Sequence, residues 1–216
     1  MTQNTFTILL GGNLTLTDRL KAAVSGSRFI AADGGMRHAA MLGATPELWV
    51  GDFDSTSDTL AQNFPDVEKM PYPAAKNETD GAIAIGEALK RGATRLILAG
   101  ALGGERSDHA LMHLLQGVEF ARQGLKLMLT SGEEEAYPLL PGDMSLDLPE
   151  GSLFSVLGFT DLRGLSIRNA RYPLVDFTLP FGSSRTISNV ANGTIALSLQ
   201  SGDAVLLARP YDLSGA

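Results

Sequence analysis

Over the first 130 positions short apolar runs alternate with stretches of helical period, the ordering that yields a parallel sheet with helices on its faces. Phe6 to Leu10 reads as the first strand, and Thr17 or Asp18 caps a helix that ends near Gly26. Phe29 to Ala32 is the second strand, Met36 to Leu42 a short helix stopped at Gly43, and Leu48 to Val50 the third strand. A helix from about Ser57 to Phe64 precedes a fourth strand, Val67 to Met70, which Pro71 and Pro73 end because each lacks a donor for the sheet ladder. Thr79 to Arg91 has Ala82, Ile85, Ala88 and Leu89 on one helical face, with Gly92 placed to terminate it. Arg95 to Ala99 is strand five, and Ser107 to Gln123 carries Leu111, Leu114, Leu115 and Val118 at helical spacing. Leu125 to Thr130 is strand six.

From about Ser131 the pattern becomes short strands separated by glycine, proline and asparagine, without a sustained helical period. Thr194 to Gln200 is the clearest, with Ile195, Leu197 and Leu199 on one face; Leu153 to Phe159, Leu165 to Ile167, Phe177 to Leu179 and Ala204 to Ala208 join it. The fold expected is a three-layer α/β domain over residues 1–131, followed by a smaller all-β domain of sandwich or barrel type over 132–216.

Composition narrows the chemistry. The 24 acidic against 17 basic residues give a net charge of −7, which disfavours a general hold on nucleic acid or an anionic membrane. With no cysteine there is no disulfide, thiolate nucleophile or zinc thiolate site. No apolar run approaches the ~18 residues of a membrane span, and no basic residue precedes the first apolar stretch, so a cytoplasmic protein is expected.

Four polar clusters follow successive strands: Asp33-Gly34-Gly35, Gly51-Asp52-Phe53-Asp54-Ser55, Lys76-Asn77-Glu78-Thr79-Asp80, and Gly103-Gly104-Glu105-Arg106-Ser107-Asp108-His109. In a parallel sheet all four lie at the carboxyl edge, where ligands of such folds bind. Asp52, Asp54, Asp80 and Asp108 concentrate negative charge there, and hard oxygen donors without cysteine favour Mg²⁺, whose shell is completed by phosphate oxygens and water. Lys76 and Arg106 are placed to neutralise phosphate; Gly34, Gly35, Gly103 and Gly104 permit close backbone approach, and helix starts near Met36 and Ser107 offer N–H groups to an anion. Each piece also has a plain structural reading: Thr79 as a helix cap, Asp80 as a first-turn carboxylate, the glycine pairs as turns. His109 and His113 have zinc-ligand spacing but lack the glutamate of the usual signature; His38 reads as a surface residue and Trp49 as core.

In order and spacing, Ala32-Asp33-Gly34-Gly35, Gly51-Asp52-Phe53-Asp54-Ser55, Lys76-Asn77-Glu78-Thr79-Asp80 and Gly100-Ala101-Leu102-Gly103-Gly104-Glu105-Arg106-Ser107-Asp108-His109 resemble the thiamine pyrophosphokinase family. Ser188-Asn189, preceded by Gly164-Leu165 and Tyr172-Pro173-Leu174, is similar to the family's thiamine-binding β domain. The resemblance implies that pyrophosphate passes from ATP to the hydroxyl of thiamine, which attacks the β-phosphorus and expels AMP. It implies that Asp52, Asp54 and Asp80 hold magnesium and the ATP phosphates, that Asp108 supports the site, and that Ser188 and Asn189 contact thiamine. By the same resemblance Asp33, Gly34, Gly35, Lys76, Asn77, Thr79, Gly103, Gly104, Arg106 and His109 bind ATP. It further implies a homodimer with its active site at the subunit interface. Asn77 departs from the aspartate common there, and Glu105 adds a like charge beside the phosphate-binding stretch. The alternatives are a pyrophosphokinase acting on a pterin alcohol and a non-catalytic nucleotide sensor.

Overall fold

The computed structural model describes residues 4–53, 58–72 and 78–215. Contacts divide the chain into two units, the first comprising Met1–Leu111 with Leu125–Gly132, the second Met112–Gly124 with Glu133–Ala216.

In the first unit β1 (Thr5–Leu9) leads through α1 (Asp18–Val24) to β2 (Arg28–Ala32). The Thr17 hydroxyl opens α1 by accepting from the Leu20 N–H at 3.2 Å, as its sequence position predicts. A 3₁₀ segment, Asp33–His38, then runs into the four-residue α2 (Ala39–Leu42), which Gly43 closes at φ 61°. Of the helix expected over Met36 to Leu42, the first three residues are 3₁₀ and the last four α-helical, so the start proposed there supplies no α-helical N-terminus for an anion. β3 (Leu48–Gly51), α3 (Asp58–Asn63) and β4 (Glu68–Pro71) follow. Pro71 lies inside β4 rather than beyond it, which the ladder tolerates because within this unit β4 pairs with β3 alone among the described strands.

Next come α4 (Asp80–Lys90), β5 (Arg95–Ala99), α5 (Ser107–Arg122) and β6 (Lys126–Thr130). Thr79 caps α4 through the Ala82 N–H at 3.2 Å, and the helix packs on β1, β2 and β3. Its buried face is Gly81, Ile83, Ala84, Ile85, Glu87 and Ala88; of the stripe predicted, Ile85 and Ala88 are buried, while Ala82 and Leu89 are half-buried. Burial of the Glu87 carboxylate is offset by ion pairs to Lys90 and Arg91, which hold its pKa below the usual carboxylate value. On α5 the expected apolar face is buried only in part: Val118 is buried and Leu114 half-buried, but Leu111 and Leu115 are exposed.

All pairings of this unit are parallel, in the order β4-β3-β2-β1-β5-β6. The chain builds outward from β1 in one direction and then returns to its other side, so the order reverses between β1 and β5. At that reversal the strand-end loops touch backbone to backbone. A Cβ on Gly12 would sit 2.4 Å from the Gly100 carbonyl oxygen, one on Gly35 2.1 Å from that of Leu9, and one on Gly100 2.5 Å from that of Leu10. Hydrogen bonds from Leu10 N to Ala99 O (2.8 Å) and from Gly12 N to Gly100 O (3.1 Å) continue the contact past the strands.

The second unit is antiparallel: β7 (Glu135–Leu139), β8 (Gly142–Leu146), β9 (Leu153–Gly158), β10 (Leu162–Ala170), β11 (Leu174–Leu179), β12 (Asn189–Leu199) and β13 (Ala204–Arg209). Its pairing runs β7-β13-β9-β12-β10-β11, and β8 also pairs with β12. Ile195, Leu197 and Leu199 point into a core with Phe154, Val156, Leu162, Leu165, Ile167, Leu179 and Leu206, as the alternation along this strand requires. Residues Met112–Gly124 group with this unit, where Arg122 binds the Asp203 carboxylate.

Replacing Gly35 by alanine is expected to destabilise the protein by about 3 kcal/mol, the upper part of the overpacking range. Gly86→Ala on α4, where nothing lies within 4 Å of the added carbon, is expected to stabilise it by about 0.5–1 kcal/mol. Urea midpoints of the two variants against the parent measure both.

Candidate active site

Two non-glycine residues in the left-handed region mark the carboxyl edge of the first unit: Asp33 at φ 43° after β2 and Phe53 at φ 61° after β3. Such backbones cost of order 1–3 kcal/mol unless the surroundings hold them. Here Trp49, fully buried on β3, does the holding for both. Its indole Nε1 donates to the Asp33 carbonyl at 2.9 Å, and its ring meets Phe53 edge-on at 5.2 Å and 82°. Lys69 on β4 places its ammonium 5.3 Å from the Trp49 ring centre and 5.9 Å from that of Phe53, joining the same cluster.

This cluster brings Asp33 beside the end of β3. A Cβ on Gly51 would lie 3.2 Å from the Asp33 Cα, so the bare glycine lets the turn close against the residue before Asp52. Asp52 is half-buried, and Asp80 is half-buried in the first turn of α4. The Oδ1 of Asp33 is buried without a hydrogen-bond partner among the described residues. An acceptor left so costs about 1–3 kcal/mol, and a cation or a donor from a ligand would recover it. This donor set, hard carboxylate oxygens with no sulfur, fits Mg²⁺. Among the described residues no group of three or more histidine, aspartate or glutamate side chains is placed to hold a metal ion. Asp54, Lys76 and Asn77 lie outside the described residues.

The loop after β5 has Gly100, Gly103 and Gly104 at φ 80°, 74° and 98°. No atom lies within 4 Å of a Cβ built on Gly103, whereas Gly104 faces Gly12 and Asn13. Arg106 does not stand free for a phosphate, because its guanidinium grips Asp108 in a two-bond fork of 2.9 and 2.7 Å. That fork holds the Asp108 carboxyl well below the usual carboxylate range. Both side chains and His109 are exposed.

Three site residues lacked a sequence signal. Gly11 and Gly12, after β1, occupy the same edge as the four clusters, and only the central position of β1 reveals their importance. Arg37 donates to the carbonyls of Gly34 (3.1 Å), Gly11 and Gly12 (3.1 Å). His38, expected at the surface, is instead buried with its Nε2 2.9 Å from the Gly12 oxygen, and burial lowers its pKa.

In the second unit Ser188 is exposed at φ 57°, its N–H bonded to the Ser155 hydroxyl at 3.0 Å. Asn189 is buried. Its amide donates to the Tyr172 carbonyl at 2.8 Å and accepts from the N–H groups of Tyr172 (3.1 Å) and Val190 (2.9 Å).

The family model described as thiamin pyrophosphokinase, catalytic domain, matches residues 21–129, half of the chain. The chain belongs to the thiamin pyrophosphokinase family. As a member it is an ATP-dependent enzyme that transfers pyrophosphate to the hydroxyl of thiamine; neither the pterin-alcohol nor the sensor alternative is favoured. The fold agrees across distant members. A thiamine pyrophosphokinase from Bacillus subtilis superposes with TM-score 0.83 at 24% identity, covering 97% of this chain and 100% of that one. A thiamin pyrophosphokinase family protein from Enterococcus faecalis gives 0.78 at 25% identity, with 96% and 99% covered. The thiamin pyrophosphokinase from Candida albicans gives 0.79 at 13% identity, with 95% and 90% covered. No curated protein matches the sequence.

The buried His38 carries a pH signature. Its unfolded imidazole takes a proton near pH 6.5, whereas the folded one, with its pKa lowered, resists until a lower pH. The neutral ring therefore contributes stability above about pH 6.5 that is lost as the pH falls toward the folded pKa. In His38→Gln, whose amide still reaches a carbonyl, this component is absent. The melting-temperature advantage of the parent over the variant is expected to shrink between pH 7.5 and 5.

Proposed function

We propose that the carboxyl edge of the first unit binds Mg²⁺–ATP and that the exposed Ser188 turn of the second contacts thiamine. The orphaned, buried Asp33 oxygen beside Gly51-Asp52 carries the first part of this reading, because it is an acceptor whose burial makes sense once a cation or ligand donor meets it. Asp52 and Asp80, with Asp54, hold the magnesium, and Asp33 extends their negative pole. When bound, the ion neutralises phosphate charge and draws electron density from the β-phosphorus. Gly34, Gly35, Gly103 and Gly104 let the backbone approach the phosphates; Lys76, Asn77 and Thr79 border them from the next loop. Thr79 serves first as the α4 cap.

Arg106 acts with Asp108 as a unit. The fork keeps Asp108 ionised and fixes the guanidinium at the start of α5, beside His109. Asn189 holds the Tyr172 backbone and the start of β12 in place, so that Ser188 presents its side chain from a rigid turn. No nucleophilic side chain is required: the thiamine hydroxyl attacks the β-phosphorus in line with the departing AMP, and the protein contributes orientation and charge.

The working form is a cytoplasmic homodimer, with thiamine between the α/β unit of one subunit and the β unit of the other. In support, the single chain leaves Leu111, Met112, Leu115, Val175 and Phe181 exposed, large apolar side chains that a second copy would cover. No helix of the described residues is long and apolar enough to cross a membrane.

Asp52→Asn is expected to lower AMP release from ATP, magnesium and thiamine by about 100-fold or more while leaving the circular dichroism unchanged. Near-parental turnover overturns the metal assignment. Sedimentation of the parent at micromolar concentration is expected to show a species of twice the chain mass.

A further inference from the structure

Arg37 is exposed, yet its guanidinium is not idle. One Nη1 hydrogen goes to the Gly34 carbonyl, and Nη2 donates to both Gly11 and Gly12. The side chain lies close to Gly34, where a Cβ would come 3.3 Å from Nη1. Gly12 is held from every side: its N–H donates to Gly100, and its oxygen receives Arg37 and the buried His38 together, which occupies both lone pairs. Because burial lowers the His38 pKa, the ring is neutral near pH 7 and binds through Nε2–H, so the positive charge at this place belongs to Arg37.

The chemistry of the edge gives that charge a purpose. The carboxyl ends of parallel strands expose carbonyl oxygens, the negative ends of peptide dipoles, and this edge already carries Asp33, Asp52 and Asp80. A triphosphate arriving there meets charge of its own sign. Arg106 is committed to Asp108, and Lys69 lies over Trp49 and Phe53. Arg37, by contrast, makes no ion pair among the described residues; its partners are carbonyls, which orient the cation without cancelling it.

We propose that Arg37 is a positioning residue for the nucleotide: it masks the carbonyls that follow β1 and β2 and fixes one positive charge beside the β1–β5 reversal, so that the glycine loops accept a polyphosphate. The inference rests on the reading of this edge as the ATP site. It assigns Arg37 to the nucleotide alone, with no part in holding thiamine.

Steady-state kinetics with ATP and thiamine varied in turn test it, on the parent and on Arg37→Gln and Arg37→Lys. If the parent releases no AMP, the ATP reading itself fails, whatever the variants do. With an active parent, Arg37→Gln, which keeps an amide donor but loses the charge, is expected to raise the KM for ATP by about 10-fold or more, with the KM for thiamine and kcat within twofold. Arg37→Lys is expected to recover most of that loss, and raising the salt concentration is expected to weaken ATP binding more in the parent than in the Gln variant. An unchanged KM for ATP in Arg37→Gln overturns the proposal. Equal losses in Gln and Lys, or parallel rises in both KM values, also overturn it, because they show scaffolding of the loops rather than an electrostatic task. If Arg37→Gln does not fold, Arg37→Met and the Lys variant supply the same comparison of neutral against charged side chains.

Discussion

Backbone against backbone, at three glycines, is the contact on which the catalytic unit depends. Gly12, Gly35 and Gly100 come so near to the carbonyls of Gly100, Leu9 and Leu10 that no side chain fits between them. Their approach draws the loops after β1, β2 and β5 into one surface at the point where strand order reverses. Such a reversal of strand order is where open α/β sheets leave a crevice. The acids and cations of the edge are arranged on this close-packed backbone.

A second layer of constraint comes from Trp49. Its buried ring is at once a hydrogen-bond donor to the Asp33 carbonyl and the platform for Phe53, so the two left-handed residues of the site share a single support. Strained backbones are costly when isolated, and here the cost is spread over a core residue that packing already immobilises. The third layer is electrostatic. Arg106 and Asp108 pair with each other, Lys69 rests on aromatic faces, and Arg37 sits on carbonyls, so these cations are held by three different means.

Much of this was legible in the pattern of residues, and what was not has a physical reason. The alternation of strands and helices through Thr130, the capping threonines 17 and 79, and the inward face Ile195-Leu197-Leu199 follow from local chemistry, and the structure has them. The motifs Asp33-Gly34-Gly35 and Gly51-Asp52 stand at neighbouring strand ends as expected. Gly11-Gly12 escaped notice because two glycines after a strand look like any turn until β1 is known to be central. His38 is buried where an exposed position is expected, because a 3₁₀ segment rotates its side chains differently from an α-helix. On α5 the apolar residues recur at helical spacing, but spacing alone does not say whether a face is covered by the same chain; Leu111 and Leu115 are exposed. Strands β7 and β8 carry no clear signal in the sequence, because their turn-forming residues Pro138 and Gly142 mask the β pattern.

Trp49 is the sole tryptophan of the chain, and it touches the turns of both Asp33 and Asp52's neighbour Phe53. Its intrinsic fluorescence therefore originates from one spot, the junction of the turns that follow β2 and β3. The molecule contains its own optical reporter, readable without labels, dyes or an added chromophore.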